Sequence, residues 1–255
     1  MYLESRPGIR LANYVEKLWY FEGYGAAHRR ERVLPNGRIQ LIIDLAPAAS
    51  ATIVGLSTTS RILETASLRS VMGVVFRPGG TLALFDPPAD EFSNRDVALE
   101  DVWKSPSAAL RGRLLDAPDL VPRLRALEAE LDRRIARIPE PHSSVRYALR
   151  EFARNATAAS VMEVARQTGL SRRRLGTLFR EQVGLTPKLY CRLHRFQQVV
   201  RRIAAGAPID WAQVALDGGY YDQSHMAHEF REFAGVAPGV WRESERPFLN
   251  HAVID

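Results

Sequence analysis

The stretch ALDGGYYDQSHMAHEFREFAGVAP, residues 215–238, decides the fold of this chain because it repeats an earlier stretch. Residues of the same character recur 50 or 51 positions apart: Ala165, Gly169, Leu170, Leu175, Phe179, Gly184 and Pro187 against Ala215, Gly219, Tyr220, Met226, Phe230, Gly235 and Pro238. A repeat of this kind indicates two copies of one supersecondary unit.

Each copy has the pattern of a short helix, a turn and a second helix. Gly169 and Gly219 are suited to the positive φ that ends a first helix, and Ser171 and Asp222 are suited to cap the next. The pattern predicts two helix-turn-helix units, at 160–183 and 209–234.

The second helix of each unit has one apolar face and one free face. The free face offers Arg172, Arg173, Gly176, Thr177 and Arg180 in the first copy, and Gln223, Ser224, Ala227, His228 and Arg231 in the second. Arginine forks onto guanine, glutamine pairs with adenine, and small residues let a helix approach a groove. The free faces are therefore candidate DNA-binding surfaces.

Two histidines, His225 and His228, raise the question of a metal site. They supply two ligands, no third histidine or cysteine is near, and Asp222 is needed as a helix cap, so we expect no metal. We place His225 among the DNA-binding candidates, against the phosphate backbone or the first copy. His28 is the only histidine before residue 142, which disfavours a metalloenzyme in the N-terminal part.

Charge is distributed unevenly along the chain. Residues 1–141 carry 19 Lys and Arg against 18 Asp and Glu, residues 142–207 carry 13 against 3, and residues 208–255 carry 3 against 8. The middle segment therefore has a net charge of 13 − 3 = +10, which is suited to neutralising phosphates. A solvated basic face is the alternative.

A helix over 187–204 is predicted between the two units, with Thr186 as its cap and Pro187 in its first turn. Arg192 and Arg195 on this helix, with Arg201 and Arg202, are expected to carry salt-dependent DNA affinity. The same helix holds Cys191, the only cysteine. An alkyl-transfer enzyme would need that thiol activated.

The N-terminal part reads as short strands and turns, helical from about residue 107. In RIQLIIDLA, residues 38–46, strict alternation places Ile39, Leu41, Ile43 and Leu45 on one face. The whole chain is predicted to be an α+β multidomain protein: a β-rich barrel-like or sandwich-like domain over 1–139 and an all-α domain over 142–245, divided at Pro139-Glu140-Pro141.

A predicted helix at 119–138 carries an apolar stripe of Leu120, Leu124, Leu127, Leu131, Ile135 and Ile138. The stripe packs on its own chain or forms a homodimer interface. In the β domain, five residues are candidates for a ligand pocket: Trp19, Phe21, Arg38, Phe76 and Arg77. Core aromatics and a turn-stabilising arginine are the alternative explanation.

The segment from about 143 to 245 resembles the DNA-binding domain of the AraC/XylS family of bacterial transcription regulators. Its hallmark here is Ala215, then Gly219-Tyr220, Asp-Gln-Ser-His and Phe230. The resemblance implies that two recognition helices enter successive major-groove segments. It implies base readers at Arg172, Arg173, Gly176 and Thr177 in the first, and at Gln223, Ser224 and His228 in the second.

The N-terminal part is similar, through Leu34-Pro35-Asn36-Gly37 and Val75-Phe76-Arg77-Pro78-Gly79-Gly80, to uncharacterised domains of such regulators. The resemblance implies a sensor or dimerisation module. We therefore expect a cytoplasmic regulator without cofactor or membrane segment, whose partners are double-stranded DNA, RNA polymerase and a small-molecule effector. An enzyme, namely a DNA alkyl-repair protein or a hydrolase, and a nonspecific architectural DNA binder are the alternatives.

Overall fold

The computed structural model of the chain describes residues 1–23, 28–46, 50–65, 70–103, 106–135, 140–154 and 160–254. Two predictions extend outside these residues. They are the long helix at residues 136–138 and the domain boundary at Pro139.

The N-terminal domain consists of two antiparallel sheets with helices. Its strands are β1 (Tyr2–Ser5), β2 (Val15–Glu22), β3 (Arg30–Val33), β4 (Gln40–Asp44), β5 (Ala51–Val54), β6 (Arg61–Glu64), β7 (Ser70–Phe76) and β8 (Asp96–Ala98), joined by β9 (His251–Val253). The larger sheet has the order β1-β2-β7-β4-β5-β8 and the smaller one β6-β3-β9. The edge strands β1 and β8 of the larger sheet do not pair with each other, so the predicted barrel is not closed.

The predicted alternation in β4 is confirmed. Ile39, Leu41, Ile43 and Leu45 are all buried, because this face of the larger sheet is covered by helices of the same domain. These are two short 3-10 helices at Gly80–Ala83 and Ala89–Phe92, then α1 (Leu99–Val102), α2 (Pro106–Asp116) and α3 (Leu120–Ile135). Phe85 packs between Phe76 and Trp103 in this layer, with ring centroids 5.4 and 5.8 Å apart.

The apolar stripe of α3 packs on its own chain. Leu127 and Leu131 are fully buried in the same cluster as Leu110 and Leu114 of α2. Glu130 is also buried, and its charge is compensated, since Nη2 of Arg113 and Nε of Arg134 lie 2.6 and 3.0 Å from its carboxylate oxygens. The described part of the stripe therefore packs on its own chain, which was the first of the two explanations offered by the sequence.

Strand β9 joins the end of the chain to the N-terminal domain, which no sequence pattern indicated. It pairs with β3, with His251 opposite Val33 and Val253 opposite Glu31. Glu31 is fully buried between two histidines, since Nε2 of His28 and Nδ1 of His251 each lie 2.7 Å from one of its oxygens. The carboxylate therefore ties the chain terminus into the smaller sheet.

The C-terminal domain is helical. Its helices are α4 (Ser143–Arg154), α5 (Val161–Gln167), α6 (Arg172–Val183), α7 (Pro187–Ala204), α8 (Trp211–Asp217), α9 (Gln223–Ala234) and α10 (Pro238–Glu243). The linking helix α7 has the predicted bounds, and Oγ1 of Thr186 accepts from the Leu189 amide at 3.3 Å. Pairs α5–α6 and α8–α9 are the two predicted helix-turn-helix units.

The local signals of the repeat act as the sequence predicts. Gly169 and Gly219 both have φ of +70°, and the side chains of Ser171 and Asp222 accept hydrogen bonds from the third amide of the following helix. Ser160 caps α5 in the same way. The Glu163 carboxylate accepts hydrogen bonds from the side chains of Arg166 and Gln167, which follow it in the same helix.

Gly73 in β7 leaves the space that the Trp19 ring fills, since a Cβ built there would lie 2.1 Å from Cε2 of the indole. We expect Gly73→Ala to lower the free energy of unfolding by about 1 to 3 kcal/mol, because the packed ring must shift. Urea denaturation measures this loss. In a Trp19→Ala background the loss should shrink, and an equal loss in both backgrounds would contradict the contact.

Candidate nucleic-acid interface

The second helix of each unit, α6 and α9, buries one face and exposes the other. Leu175 and Phe179 of α6, and Met226 and Phe230 of α9, are buried in the domain core. The opposite faces expose Arg172, Arg173, Arg180, Gln223, Ser224, His225, His228 and Arg231, with Gly176, Thr177 and Ala227 half-buried between them. The predicted DNA-binding residues thus lie on accessible surfaces of α6 and α9. We call these two helices the recognition helices.

Three consecutive arginines form the first turn of α6. Arg172, Arg173 and Arg174 are exposed, that turn contains no acidic residue, and no described carboxylate pairs with them. The positive end of a helix dipole disfavours cations, and each like charge adds repulsion. An anion at this position relieves both costs. Arg174 was not among the sequence candidates, although the run of arginines signals it.

The first turn of α9 is polar rather than basic. Gln223, Ser224 and His225 occupy the positions of the three arginines in the first copy, and all are exposed. Nδ1 of His225 accepts from the Tyr221 amide at 3.3 Å, which leaves the ring proton on Nε2 as a donor. Tyr221, the residue added in this copy, is 87% exposed beside it.

Arg180 and Arg231 stand at equivalent positions near the C-terminal ends of the recognition helices, yet their surroundings differ. Nε of Arg180 lies 3.3 Å from a carboxylate oxygen of Asp90, in the N-terminal domain. Arg231 is exposed. The guanidinium of Arg180 is therefore shared between the recognition surface and the contact between the domains.

Arg192 and Arg195 of α7 lie in ion pairs inside the C-terminal domain. Their guanidinium nitrogens lie 2.8 and 3.4 Å from the two carboxylate oxygens of Glu229, and Arg192 also pairs with Glu232 at 2.6 Å. Glu229 is only 4% exposed, so its charge needs these partners. The pairs fasten the linking helix to the second recognition helix, and they occupy guanidinium groups predicted to face DNA.

Gly176 lies in the middle of α6 without a packing reason for being glycine. A Cβ built on it would meet no atom within 4 Å, and its φ is not in the left-handed region. Glycine in a helix costs about 0.5 to 1 kcal/mol relative to alanine. The absence of a side chain at Gly176 therefore permits a close approach to the outer surface of α6, and it lowers the stability of the helix.

The five candidates for a ligand pocket do not line one surface. By strand register, Trp19 and Phe21 face away from the core of the larger sheet, whereas Phe76 is buried in that core. Arg38 pairs with Glu16 at 2.6 Å, and Nε of Arg77 donates to the Ala12 carbonyl at 2.8 Å. Arg77 and Phe76 thus have the structural roles that were the alternative explanation.

Cys191 is half-buried in α7, and burial raises the pKa of its thiol to about 11. Alkyl transfer needs a thiolate at neutral pH. At pH 7 this group is held almost wholly as the neutral thiol, which disfavours the repair enzyme.

Within the described residues, no helix combines the length and apolarity that a membrane span requires.

Two family models match separate parts of the chain. Residues 164–244 match the model of a helix-turn-helix domain family, and residues 3–98 match that of a domain of unknown function, DUF6597. No curated protein matches the chain.

Among solved structures, the chain is similar to the C-terminal domain of AraT, a response regulator from Geobacillus stearothermophilus, at 17% identity, with 41% of this chain and 87% of that one covered and a TM-score of 0.38. A DNA-binding transcriptional dual regulator from Escherichia coli K-12 is 18% identical over 40% of this chain and 91% of that one, with a TM-score of 0.35. ToxT from Vibrio cholerae is 10% identical over 94% and 97%, with a TM-score of 0.43.

Gly176→Ala separates stability from binding. We expect the free energy of unfolding to rise by about 0.5 to 1 kcal/mol, and the affinity for a preferred duplex to fall by roughly tenfold because the methyl group holds the helix away from the groove. Gly112→Ala is the matched control: Gly112 also lies in a helix with open space around it, remote from α6 and α9 in sequence. Unchanged affinity in Gly176→Ala would remove the case for close approach.

Arg192→Met tests whether the Arg192 guanidinium contacts the buried Glu229 or a DNA phosphate. Removing one of the two cations paired with the buried Glu229 should lower the free energy of unfolding by about 1 to 3 kcal/mol. The slope of log Kd against log salt should stay the same, whereas loss of a phosphate contact lowers it by about 1. Normal stability together with a smaller slope would show that Arg192 contacts DNA.

Proposed function

We propose that the chain is a DNA-binding transcription regulator of the AraC type, whose helix-turn-helix domain places α6 and α9 in successive major-groove segments on one face of a duplex. In this proposal Arg172, Arg173, Gly176 and Thr177 read the first segment, and Gln223, Ser224 and His228 read the second. The observation that carries it is the exposed first turn of α6, where three arginines stand against the helix dipole.

The two recognition helices contribute unequally. The segment 142–207 has a net charge of +10, and 208–255 has 3 − 8 = −5. Attraction to phosphates should therefore come mainly from the first unit, and the second should act through hydrogen bonds to base edges. His225 fits a phosphate contact at the margin of the second unit, because its Nε2 proton points away from the bond to Tyr221.

The N-terminal domain is proposed to respond to a small molecule or a protein partner. The face of the larger sheet turned from the core supports this, because it carries two half-buried aromatic residues, Trp19 opposite Gly73 and Phe21 opposite Val71. Arg38, the remaining polar candidate, is paired with Glu16 at 2.6 Å. A signal has a direct route, since the domain contacts both recognition helices.

Further partners follow from the role of a regulator. RNA polymerase is the partner through which binding near a promoter acts, and activation and repression use the same DNA-binding surface. The cytoplasm is the compartment where such DNA lies. A homodimer through helix 119–138 would use the outer face of α3, where Val121 is 54% exposed, because the inner stripe is packed within the chain.

Competition binding tests whether the chain recognises particular DNA sequences. The full chain should prefer certain genomic fragments over bulk DNA by roughly 10³-fold or more. Arg173→Ala should cost about 1 to 3 kcal/mol on the preferred fragment and relax selectivity at one base position. Arg154→Ala, which removes an exposed arginine of α4 with a partner on its own helix, is the control.

Two results would contradict the proposal. Equal affinity for all fragments would identify a nonspecific architectural binder. A uniform loss across all sequences in Arg173→Ala would make that residue a phosphate contact instead of a base reader.

A further inference from the structure

Both recognition helices end against the same loop of the N-terminal domain. This loop, residues 55–60, connects β5 to β6. Near its start, Leu56 packs on Gly184, the left-handed cap of α6, where a built Cβ would lie 2.2 Å from Cδ1 of Leu56. At its other end, the Ser60 amide donates to the Phe233 carbonyl of α9 at 2.7 Å.

The contacts fall at equivalent positions of the repeat. Gly184 and Gly235 are 51 residues apart, and both are caps with positive φ, at +87° and +72°. Oγ of Ser60 would lie 3.1 Å from a Cβ built on Gly235. One loop of about six residues therefore spans the two ends at which the recognition helices stop.

Polar bonds from flanking residues strengthen each contact. Oγ of Ser93 donates to the Gly184 carbonyl at 2.6 Å. Nη1 of Arg32 lies 3.3 Å from the Ala234 carbonyl and 3.2 Å from Oγ of Ser60. Carbonyl groups at a helix C-terminus lack partners within the helix, so the N-terminal domain supplies donors that both helices need.

Asn94 holds the loop in shape. Its Oδ1 accepts from the backbone amide and the hydroxyl of Thr58 at 2.9 and 3.1 Å. The backbone amide of Asn94 donates to the Leu56 carbonyl at 2.6 Å. Asn94 has φ of +55°, a conformation that asparagine tolerates better than most residues. Its side chain and its backbone amide therefore both brace the loop where it meets α6.

We propose that loop 55–60, braced by Asn94, positions the two recognition helices relative to each other, so that the N-terminal domain selects the spacing between the two DNA segments. This inference rests on the proposed function. Two linked readers bind together only if their separation matches the two segments, and a stiff link sharpens that requirement. The linking helix α7 fixes one side of the separation, and the loop fixes the other.

The test compares spacings on full-length protein. The preferred duplex is first selected from a random library with the wild-type chain. Affinity is then measured for that duplex, for duplexes with one base pair inserted or removed between the segments, and for each segment alone. We expect the wild type to lose about tenfold on a spacing change.

Asn94→Gly removes the acceptor and keeps the left-handed backbone, so the spacing penalty should fall to about twofold while affinity for single segments stays unchanged. Asn94→Asp keeps both the oxygen acceptor and the tolerance for positive φ, and it should behave like the wild type. Ser93→Ala removes only the hydroxyl at the Gly184 carbonyl and should also reduce the penalty. Circular dichroism and melting confirm that each variant is folded.

The outcomes are distinct. A wild type that selects no duplex sequence would overturn the proposed function. A wild type that selects a single segment, or a spacing penalty that is the same in the wild type, Asn94→Gly and Ser93→Ala, would overturn the role of the loop and leave the regulator intact. Ser93→Ala decides the question if Asn94→Gly does not fold.

Discussion

The left-handed glycines that end the recognition helices are the constraint on which the arrangement of the two domains depends. Gly184 and Gly235 stop their helices with φ values that other residues adopt only with strain. A Cβ built on Gly184 would lie 2.2 Å from Cδ1 of Leu56 and 2.9 Å from the Ala89 carbonyl oxygen, and one built on Gly235 would lie 2.8 Å from Nη1 of Arg32 and displace that guanidinium. The missing side chain at each glycine therefore allows the helix to end there, and it lets the N-terminal domain contact the last carbonyl groups of that helix.

Arginine serves two different purposes in the C-terminal domain, and the nearest carboxylate decides which. In the first turn of α6, Arg172 and its neighbours face solvent without a described acidic partner, and local helix electrostatics oppose them. Along α7, Arg192 and Arg195 neutralise the buried Glu229 and fasten two helices together. An arginine that opposes the helix dipole and has no carboxylate partner indicates a functional surface. An arginine paired with a buried carboxylate indicates a structural role.

The sequence predicts what neighbouring residues determine. Caps at Ser171 and Asp222, the bounds of α7 and the alternation in β4 all follow from signals a few residues apart. The partners of Arg192 and Arg195 could not be predicted, because Glu229 is more than 30 residues away and its burial depends on tertiary packing. For the same reason the pocket candidates were grouped by residue type, although strand register places Phe76 on the opposite face from Trp19.

Strand β9 has a consequence for the order in which the protein is completed. Its partner β3 lies about 220 positions earlier, and His251 supplies one of the two histidine contacts to the buried carboxylate of Glu31. During translation the edge of β3 that pairs with β9 therefore stays unpaired until residues 251–253 have left the ribosome. An N-terminal domain assembled in this way becomes complete only after the helical C-terminal domain of the same chain has been made.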